Sequence, residues 1–519
     1  MSAILRNCPL QYHKERYVNN LSDMIGAVYI IYIPFLKEMR IAMTIKMPED
    51  VSLIIHTLEK AGYEAYAVGG CVRDEVLGRI PQDWDITTSA KPLEIKHLFR
   101  KTIDTGIQHG TVTVMLNHTG YEVTTYRIDG EYEDNRHPNS VEFTDNLKLD
   151  LERRDFTINA MAYNNTRGLV DEFNGMEDIE ARMIRCVGDA GERFDEDALR
   201  MLRAVRFSGQ LGFRIEENTR QAILERAGNL KSISAERIRA ELTKLLVSKD
   251  AGQLREAYYT GMTKVFLPEL DAMMETEQKN PHHIYTVGEH AIHSVEILNF
   301  LFGRYSGIWD SHMVPEDVRD IAGEFTAEFS EKQHVILSIA MLLHDAGKPG
   351  TMTVDEDGVG HFYGHQKESE RLASRILKRL TFDNETIATA KRLIRWHDYH
   401  YGSSVKSMRK SLAKIGRDLM PMLFVVQLSD ILAQNPDTFE PKLASVREAI
   451  ALWKEVVQSG AALELKDLQI TGRDLMAELG MEPGPEIGKI LKSTLDYVLE
   501  DPVRNQRDIL LAYVKNNGN

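Results

Sequence analysis

The sequence predicts an α+β fold in which a small mixed sheet with helices is followed by a long all-α body. Three observations predict it. Strand-like patterns are confined to the segment that follows Met47 and fade beyond Asp189, and amphipathic helical patterns then run to the C-terminus. A chain of 519 residues also exceeds what one hydrophobic core ordinarily supports, so several domains are expected. With 43% hydrophobic and 27% charged residues, the composition excludes large-scale disorder. Cys8, Cys71 and Cys186 are the three cysteines. They have no paired spacing, which argues against a disulfide framework or a cysteine zinc site and for a reducing, cytoplasmic setting.

The first segment, residues 1–46, reads as an appended N-terminal extension, with Met43 or Met47 the more natural start. Its apolar run Ile25–Leu36 is shorter than the ~20 residues of a membrane helix and is interrupted by Pro34. No small-residue cleavage site follows, so no signal peptide and no membrane association are expected. From Met47 to Ala61 apolar residues recur at helical spacing behind Glu49 and Asp50, which suit a helix N-terminus. YEAYAVGG reads as a strand entering a glycine turn and DWDIT as a second strand. GTVTVMLNHTGYEVTTYR reads as a hairpin turning near His118 to Gly120.

The head carries the first candidate site. Gly69 and Gly70 follow a strand and open a helix, where backbone amides can approach a phosphate closely. Asp83 and Asp85 are two apart, so on a strand both point to one face. Paired carboxylates so placed repel unless a cation lies between them, and hard oxygen ligands suit Mg²⁺. Glu122, in the later hairpin, is a third acid that an adjacent strand could bring alongside. Three carboxylates holding two metals would clamp an attacking 3′-oxygen and a departing pyrophosphate.

The order Gly69-Gly70-Cys71-Val72-Arg73-Asp74, then Asp83-Trp84-Asp85, resembles motif A of the polymerase-beta-like nucleotidyltransferases. The likeness is to the class II branch, which contains bacterial CCA-adding enzymes and poly(A) polymerases. It implies a nucleotidyltransferase head with Gly70 and Arg73 among the nucleotide-binding residues. Arg153 to Ala160 (RRDFTINA) is similar to that branch's motif B, which implies ribose contacts for Arg154, Asp155 and Asn159. Asp171 and Gly175 resemble motif C. Residues 127–147 resemble the flexible loop of full CCA-adding enzymes, which argues against CC-only addition. TIDTGIQHGTVTV stands where poly(A) polymerases of the branch carry a basic signature.

Downstream, Asp197, Arg200, Arg203 and Arg206 are spaced by three, so on one helix they would form a single ridge. Cytosine and adenine each present an exocyclic amine beside an unprotonated ring nitrogen. Asp197 can accept from the amine while Arg200 donates to the nitrogen. Uracil and guanine reverse the pattern and leave buried groups unpaired. Arg203 and Arg206 are then placed to meet a triphosphate. EDALR is similar to the family's motif D. Ser234-Ala235-Glu236-Arg237 resembles its motif E, and a serine N-cap with glutamate in the first turn explains that run locally.

A second constellation occupies residues 282–438: His290, the adjacent pair His344-Asp345 after an apolar run, His365, His397 and Asp430. Burying a His-Asp pair is costly without a metal or partners. The pattern resembles the HD phosphohydrolase superfamily, which implies one metal on His290, His344, Asp345 and Asp430 and a possible second with His365 and His397. Imidazole and carboxylate accommodate Mn, Fe, Ni or Zn, so the ligands do not name the metal. The implied chemistry is metal-assisted hydrolysis of an RNA 3′ phosphate or 2′,3′-cyclic phosphate.

The expected organisation is an extension (1–46), a polymerase-beta-like nucleotidyltransferase head (47–170), a helical neck and body (171–281), an HD domain (282–438) and a helical tail for tRNA binding (439–519). The expected function is template-independent addition of C, C and A to the 3′ end of tRNA from CTP and ATP. The expected partners are tRNA, CTP and ATP, with no membrane and no protein partner. The rivals are a poly(A) polymerase or A-only adder and, from another class, an HD phosphohydrolase with a nucleotide-sensing head. The net charge of −15 runs against RNA binding as a sum, whereas binding needs only a local basic lining.

Overall fold

A computed structural model describes residues 44–129, 141–304 and 314–517. The expected N-terminal extension as far as residue 43 and the middle of the expected flexible loop, 130–140, lie outside the described residues. The chain divides into two compact units, one reaching Asp197 and including Glu216–Thr219, the other holding Ala198–Ile215 and the chain from Arg220 onward.

The first unit is built on a seven-stranded sheet: β1 (Ala65–Val68), β2 (Ile86–Thr88), β3 (Thr102–Gly106), β4 (Thr111–Leu116), β5 (Thr119–Thr125), β8 (Met161–Asn164) and β9 (Gly168–Asp171). A separate ribbon pairs β6 (Arg127–Asp129) with β7 (Val141–Phe143), so the two ends of the loop segment are held together. The spatial order is β3-β4-β5-β2-β1-β8-β9. Among the described residues, β2 and β5 are the one parallel pair in this sheet. Tyr66, Val68, Tyr126, Leu151, Ala160 and Ala162 form a buried core cluster on this sheet. The helix Glu49–Lys60 buries Val51, Ile54, Ile55 and Leu58 at the spacing that the sequence displays.

Two local expectations shift. The strand expected over DWDIT begins at Ile86, because the ladder to β1 and β5 starts there, and Asp83 and Asp85 lie on the segment leading in. The hairpin turns at Asn117 and His118, both in the left-handed region, and Leu116 pairs with Thr119. A two-residue turn of this kind matches strand twist, and Asn tolerates the conformation.

The second unit is helical apart from short β segments such as the hairpin Thr353–Val354/Gly360–His361. Among the described residues no helix is long and apolar enough to cross a membrane. Ser234 occupies the N-cap of Ala235–Leu246, but its hydroxyl does not cap the helix. The Glu236 carboxylate instead accepts from its own N–H and from the Ser234 hydroxyl, which lowers its pKa.

One helix end makes a testable stability statement. Asp383 caps Asn384–Trp396, accepting from the N–H of Thr386 at 3.1 Å and its hydroxyl at 2.6 Å. These bonds pull the Asp383 carboxyl down to about 2. Asp383→Ala is expected to cost about 1 kcal/mol at neutral pH. The folded pKa lies below the unfolded one, so this stability is complete above the ordinary carboxyl range and is lost as pH falls through about 2. Urea midpoints of wild type and variant should therefore differ at pH 7, draw together as the pH falls below about 4 and converge only near about 2.

Candidate nucleotidyltransferase and metal sites

In the first unit, β1 ends at Val68, whose N–H bonds the carbonyl of Asp85 at 3.0 Å. This fixes the Asp83–Asp85 segment against the turn at Gly69 and Gly70. Gly69 has φ +83, a backbone conformation that favours glycine, and a Cβ there would also press on the Arg154 guanidinium, 2.9 Å from Nη1. In the parallel register Ile86 pairs with Val123, which sets Asp85 level with Glu122. Asp83, Asp85 and Glu122 all remain exposed. Partial desolvation raises the Asp85 carboxyl, Arg154 opposes the rise and Asp83 adds to it. Glu122 is raised by desolvation and then by Asp85 and Asp83. Asp83 thus disfavours the charge of Asp85, and both disfavour that of Glu122, the condition a divalent cation relieves. Among the described residues they do not bring three oxygens within 4.8 Å of one another.

The motif B residues join this turn through a buried chain of bonds. Arg73 Nη1 donates to Asn159 Oδ1 at 2.5 Å, and Asn159 Nδ2 donates to Asp155 Oδ1 at 3.0 Å. Arg73 also pairs with Asp74 at 2.9 Å. Gly175 opens the helix Gly175–Glu180 against the motif B turn Thr157–Asn159, where a Cβ would come within 2.4 Å of the Thr157 carbonyl oxygen. Asp171 caps that helix through the N–H groups of Gly175 and Met176.

Asp150, not singled out from the sequence, holds motif B in place. It is fully buried, accepts from Arg153 Nη2 at 2.7 Å and from Thr87 Oγ1 at 3.0 Å, and lies 3.6 Å from Arg154 Nη2. Burial pushes its carboxyl up, but Arg153 and Arg154 outweigh that and the pKa falls. Asp150→Asn leaves both guanidinium groups without their buried counter-charge. It is expected to destabilise the protein by about 3 kcal/mol, read as a lowered urea midpoint at constant m-value.

The expected four-residue ridge is revised. Asp197 closes the helix Ala190–Glu196 in extended backbone, φ −141, and the next helix spans Leu199–Leu211. The ridge therefore begins at Arg200, which is buried. Sequence spacing carries no sign of the helix break at Asp197. Glu241, also not foreseen, pairs with Arg206 and lies 3.7 Å from Arg203, and Arg206 stacks 3.8 Å from the Phe207 ring centroid.

In the second unit, helices bring the six expected ligands together. His290 lies in Val287–Leu301, Asp430 in Met420–Leu432, and His365 opens His365–Arg379. His344 and His397 each stand at a helix C-cap. Each imidazole Nδ1 faces a backbone carbonyl: Ala433 for His290, Met341 for His344, Phe362 for His365 and Ile394 for His397. Donation there leaves every Nε2 lone pair pointing inward. His290 Nε2 and His344 Nε2 are 3.3 Å apart, and His365 Nε2 and His397 Nε2 are 3.4 Å apart. Such lone pairs oppose one another unless a cation lies between them.

The atoms form two candidate metal groups, His290–His344–Asp430 and His344–Asp345–His397. Asp345 spans both sides, with Oδ2 3.3 Å from His344 and Oδ1 3.3 Å from His365. Its Oδ1 is buried without a hydrogen bond. Burial lowers His344, but Asp345 and Asp430 outweigh it and raise the imidazole to about 10, so the site demands positive charge. The donor set fits divalent transition metal ions. Lys348 Nζ lies 2.7 Å from Asp345, and the centre opens into a cavity of about 660 Å³.

Family models match three stretches of the chain. The family "Poly A polymerase head domain" matches residues 65–185, "Probable RNA and SrmB- binding site of polymerase A" matches 212–274, and tRNA nucleotidyltransferase domain 2 matches 362–514. The CCA-adding enzyme of Lactiplantibacillus plantarum is 34% identical over 465 residues, covering 89% of this chain and 94% of that protein. The CCA-adding enzyme of Levilactobacillus brevis is 33% identical over 473 residues, covering 90% and 98%. Among solved structures, the Bacillus stearothermophilus CCA-adding enzyme in complex with CTP aligns with a TM-score of 0.62 at 28% identity, covering 91% of this chain and 98% of that one.

Proposed function

The chain belongs to the CCA-adding enzyme family, and from that premise we propose that it adds C, C and A to the 3′ end of tRNA from CTP and ATP in the cytoplasm. The observation that carries the reading is the setting of Asp83, Asp85 and Glu122 beside the turn that Arg73, Asn159 and Asp155 lock together. The tRNA 3′-oxygen attacks the α-phosphorus in line, the bond to pyrophosphate breaks, and the hydroxyl proton is lost. Magnesium on Asp83 and Asp85, with Glu122 alongside, supplies stabilisation of the charge on the reacting oxygens. Gly69 and Gly70 give the phosphates a close backbone approach, and Arg154, Asp155 and Asn159 orient the ribose. Asp197 and Arg200 select the base by the amine and ring-nitrogen pattern of cytosine and adenine. Glu241 pairs with Arg206 and lies beside Arg203, and in this reading the two arginines meet the triphosphate.

The test is incubation with tRNA lacking its last three nucleotides, Mg²⁺ and each labelled nucleoside triphosphate. Two C additions, one A and a stop are expected on a sequencing gel. A ladder of A on any RNA would replace this reading with poly(A) addition, and A alone on tRNA ending in CC would replace it with A-only addition.

A second activity rests on a separate observation, the convergence of four inward Nε2 atoms with Asp345 and Asp430. In this reading the second unit contains an HD phosphohydrolase centre that removes a phosphate or opens a cyclic phosphate at an RNA 3′ end. Divalent metal ions held by His290, His344, Asp345, Asp430, His365 and His397 supply Lewis-acid assistance. Water adds through oxygen to phosphorus, one ester P–O bond breaks, and the released oxygen takes the proton. Lys348 faces the same cavity and offers charge to the phosphoryl oxygens. RNA ending in a 3′ phosphate or 2′,3′-cyclic phosphate should be converted in Mn²⁺ or Ni²⁺. No conversion with any divalent metal would overturn the reading.

A further inference from the structure

The cavity over the metal-ligand cluster has an aromatic wall that phosphate chemistry alone does not require. The hairpin Thr353–Val354/Gly360–His361 is closed by Asp355, whose Oδ1 accepts from the N–H groups of Val359 and Asp357. Its Oδ2 lies 2.8 Å from His361 Nε2 and fixes that ring. Tyr363 stacks on His361 with ring centroids 5.5 Å apart and planes within 6°. The intervening Phe362 lies instead near Lys348, whose Nζ is 5.3 Å from its ring centroid. Tyr363 is 79% exposed, an unusual state for a ring already ordered by stacking. Gly364, at φ +78, then turns the chain into the helix that opens with His365. The hairpin is docked closely as well, since a Cβ on Gly360 would meet the Gln278 carbonyl oxygen at 2.4 Å.

His361 and Tyr363 line the same cavity as Lys348, Lys442, His365 and His397. A volume of about 660 Å³ is within the range of small-ligand sites. One end thus offers cations and imidazoles suited to a phosphate, and the other offers a rigid, solvent-facing aromatic platform. Planar bases stack on such platforms largely irrespective of sequence.

We infer that Tyr363, backed by His361, is a base-stacking platform that selects nucleotide esters at the second-unit centre by holding the base next to the scissile phosphate. This rests on the phosphohydrolase reading and narrows it, excluding baseless phosphate esters as preferred substrates. The ester belongs either to a free mononucleotide or to an RNA 3′ end, and the same platform serves both.

The experiment uses the full chain, with Tyr363→Ala and Tyr363→Phe. Opening of adenosine 2′,3′-cyclic phosphate is compared with that of glycerol 1,2-cyclic phosphate, which has no base. Tyr363→Ala should raise KM for the adenosine ester about 10-fold with little change in kcat, and should leave the glycerol ester unaffected. Tyr363→Phe should restore the wild-type KM. Equal losses on both esters, or no change on either, would overturn the platform. A short RNA ending in the same cyclic phosphate separates the sources: a lower KM than the mononucleotide assigns the RNA end, and an equal KM assigns the mononucleotide unit.

If the wild type opens neither ester with any divalent metal, the phosphohydrolase reading fails while the platform is still tested. For that, 8-azidoadenosine 3′-phosphate is photo-crosslinked to the metal-free chain and the labelled peptides are identified by mass spectrometry. Label on the peptide containing Tyr363, lost in Tyr363→Ala, supports the platform, and label confined to other peptides overturns it.

Discussion

Asp83→Ala or Asp85→Asn is expected to reduce nucleotide addition by about 10³-fold or more while leaving folding intact. Both side chains are exposed, so neither change opens a cavity. Asp85→Asn also keeps the backbone bond between the Asp85 carbonyl and Val68. What is lost is charge at the point where Asp83 raises the Asp85 carboxyl and both raise that of Glu122. Electrostatic support by a bound cation amounts to several kcal/mol in the transition state, and about 1.4 kcal/mol corresponds to each factor of ten. The assay is single-turnover incorporation of labelled CTP into tRNA lacking its 3′ end. Hydrolysis at the second-unit centre should continue unchanged in the same variants. Addition within tenfold of wild type would remove Asp83 and Asp85 from the metal site.

Asp345→Asn is expected to empty the second-unit centre of metal, because the two oxygens of Asp345 face opposite halves of it. An amide offers one weak acceptor in place of two anionic ones, and its NH₂ would point at imidazole nitrogens or at Lys348. Metal content of the purified chain, measured by mass spectrometry, should fall to background, and phosphohydrolysis should fall with it. His365→Gln touches only one of the two sides and should retain the ion held by His290, His344 and Asp430. Equal metal content in wild type and both variants would exclude this cluster as a metal centre. Retention of CCA addition in Asp345→Asn would show that the loss is local and not a failure to fold.

The legible part of these sites is the part whose chemistry is written in short runs. Gly69-Gly70 and Asp83-x-Asp85 announce a turn and a paired acid, and the parallel register of β2 and β5 sets Glu122 level with Asp85. The adjacent His344-Asp345 pair announces a buried polar centre, and all its distant partners converge. Misplaced features depend on where elements stop. Spacing by three made Asp197 part of the arginine ridge, but the helix break before Leu199 removes it. Asp150, Glu241 and the pair His361–Tyr363 were invisible for another reason. A lone acid in LKLDLE, a glutamate within RAEL or a histidine in GHFYG looks the same whether solvated or paired.

The sequence alone determined the α+β division, the motif residues and the family likeness, since hydrophobic periodicity and short motifs are local properties of the chain. Tertiary structure decided which charges are compensated. It buries Asp150 between two arginines and leaves Asp83 and Asp85 exposed. It also turns the Nε2 atoms of four distant histidines inward by giving each Nδ1 a carbonyl. The energy of a charge or a lone pair depends on burial and on neighbours far along the chain, and folding alone brings those neighbours together.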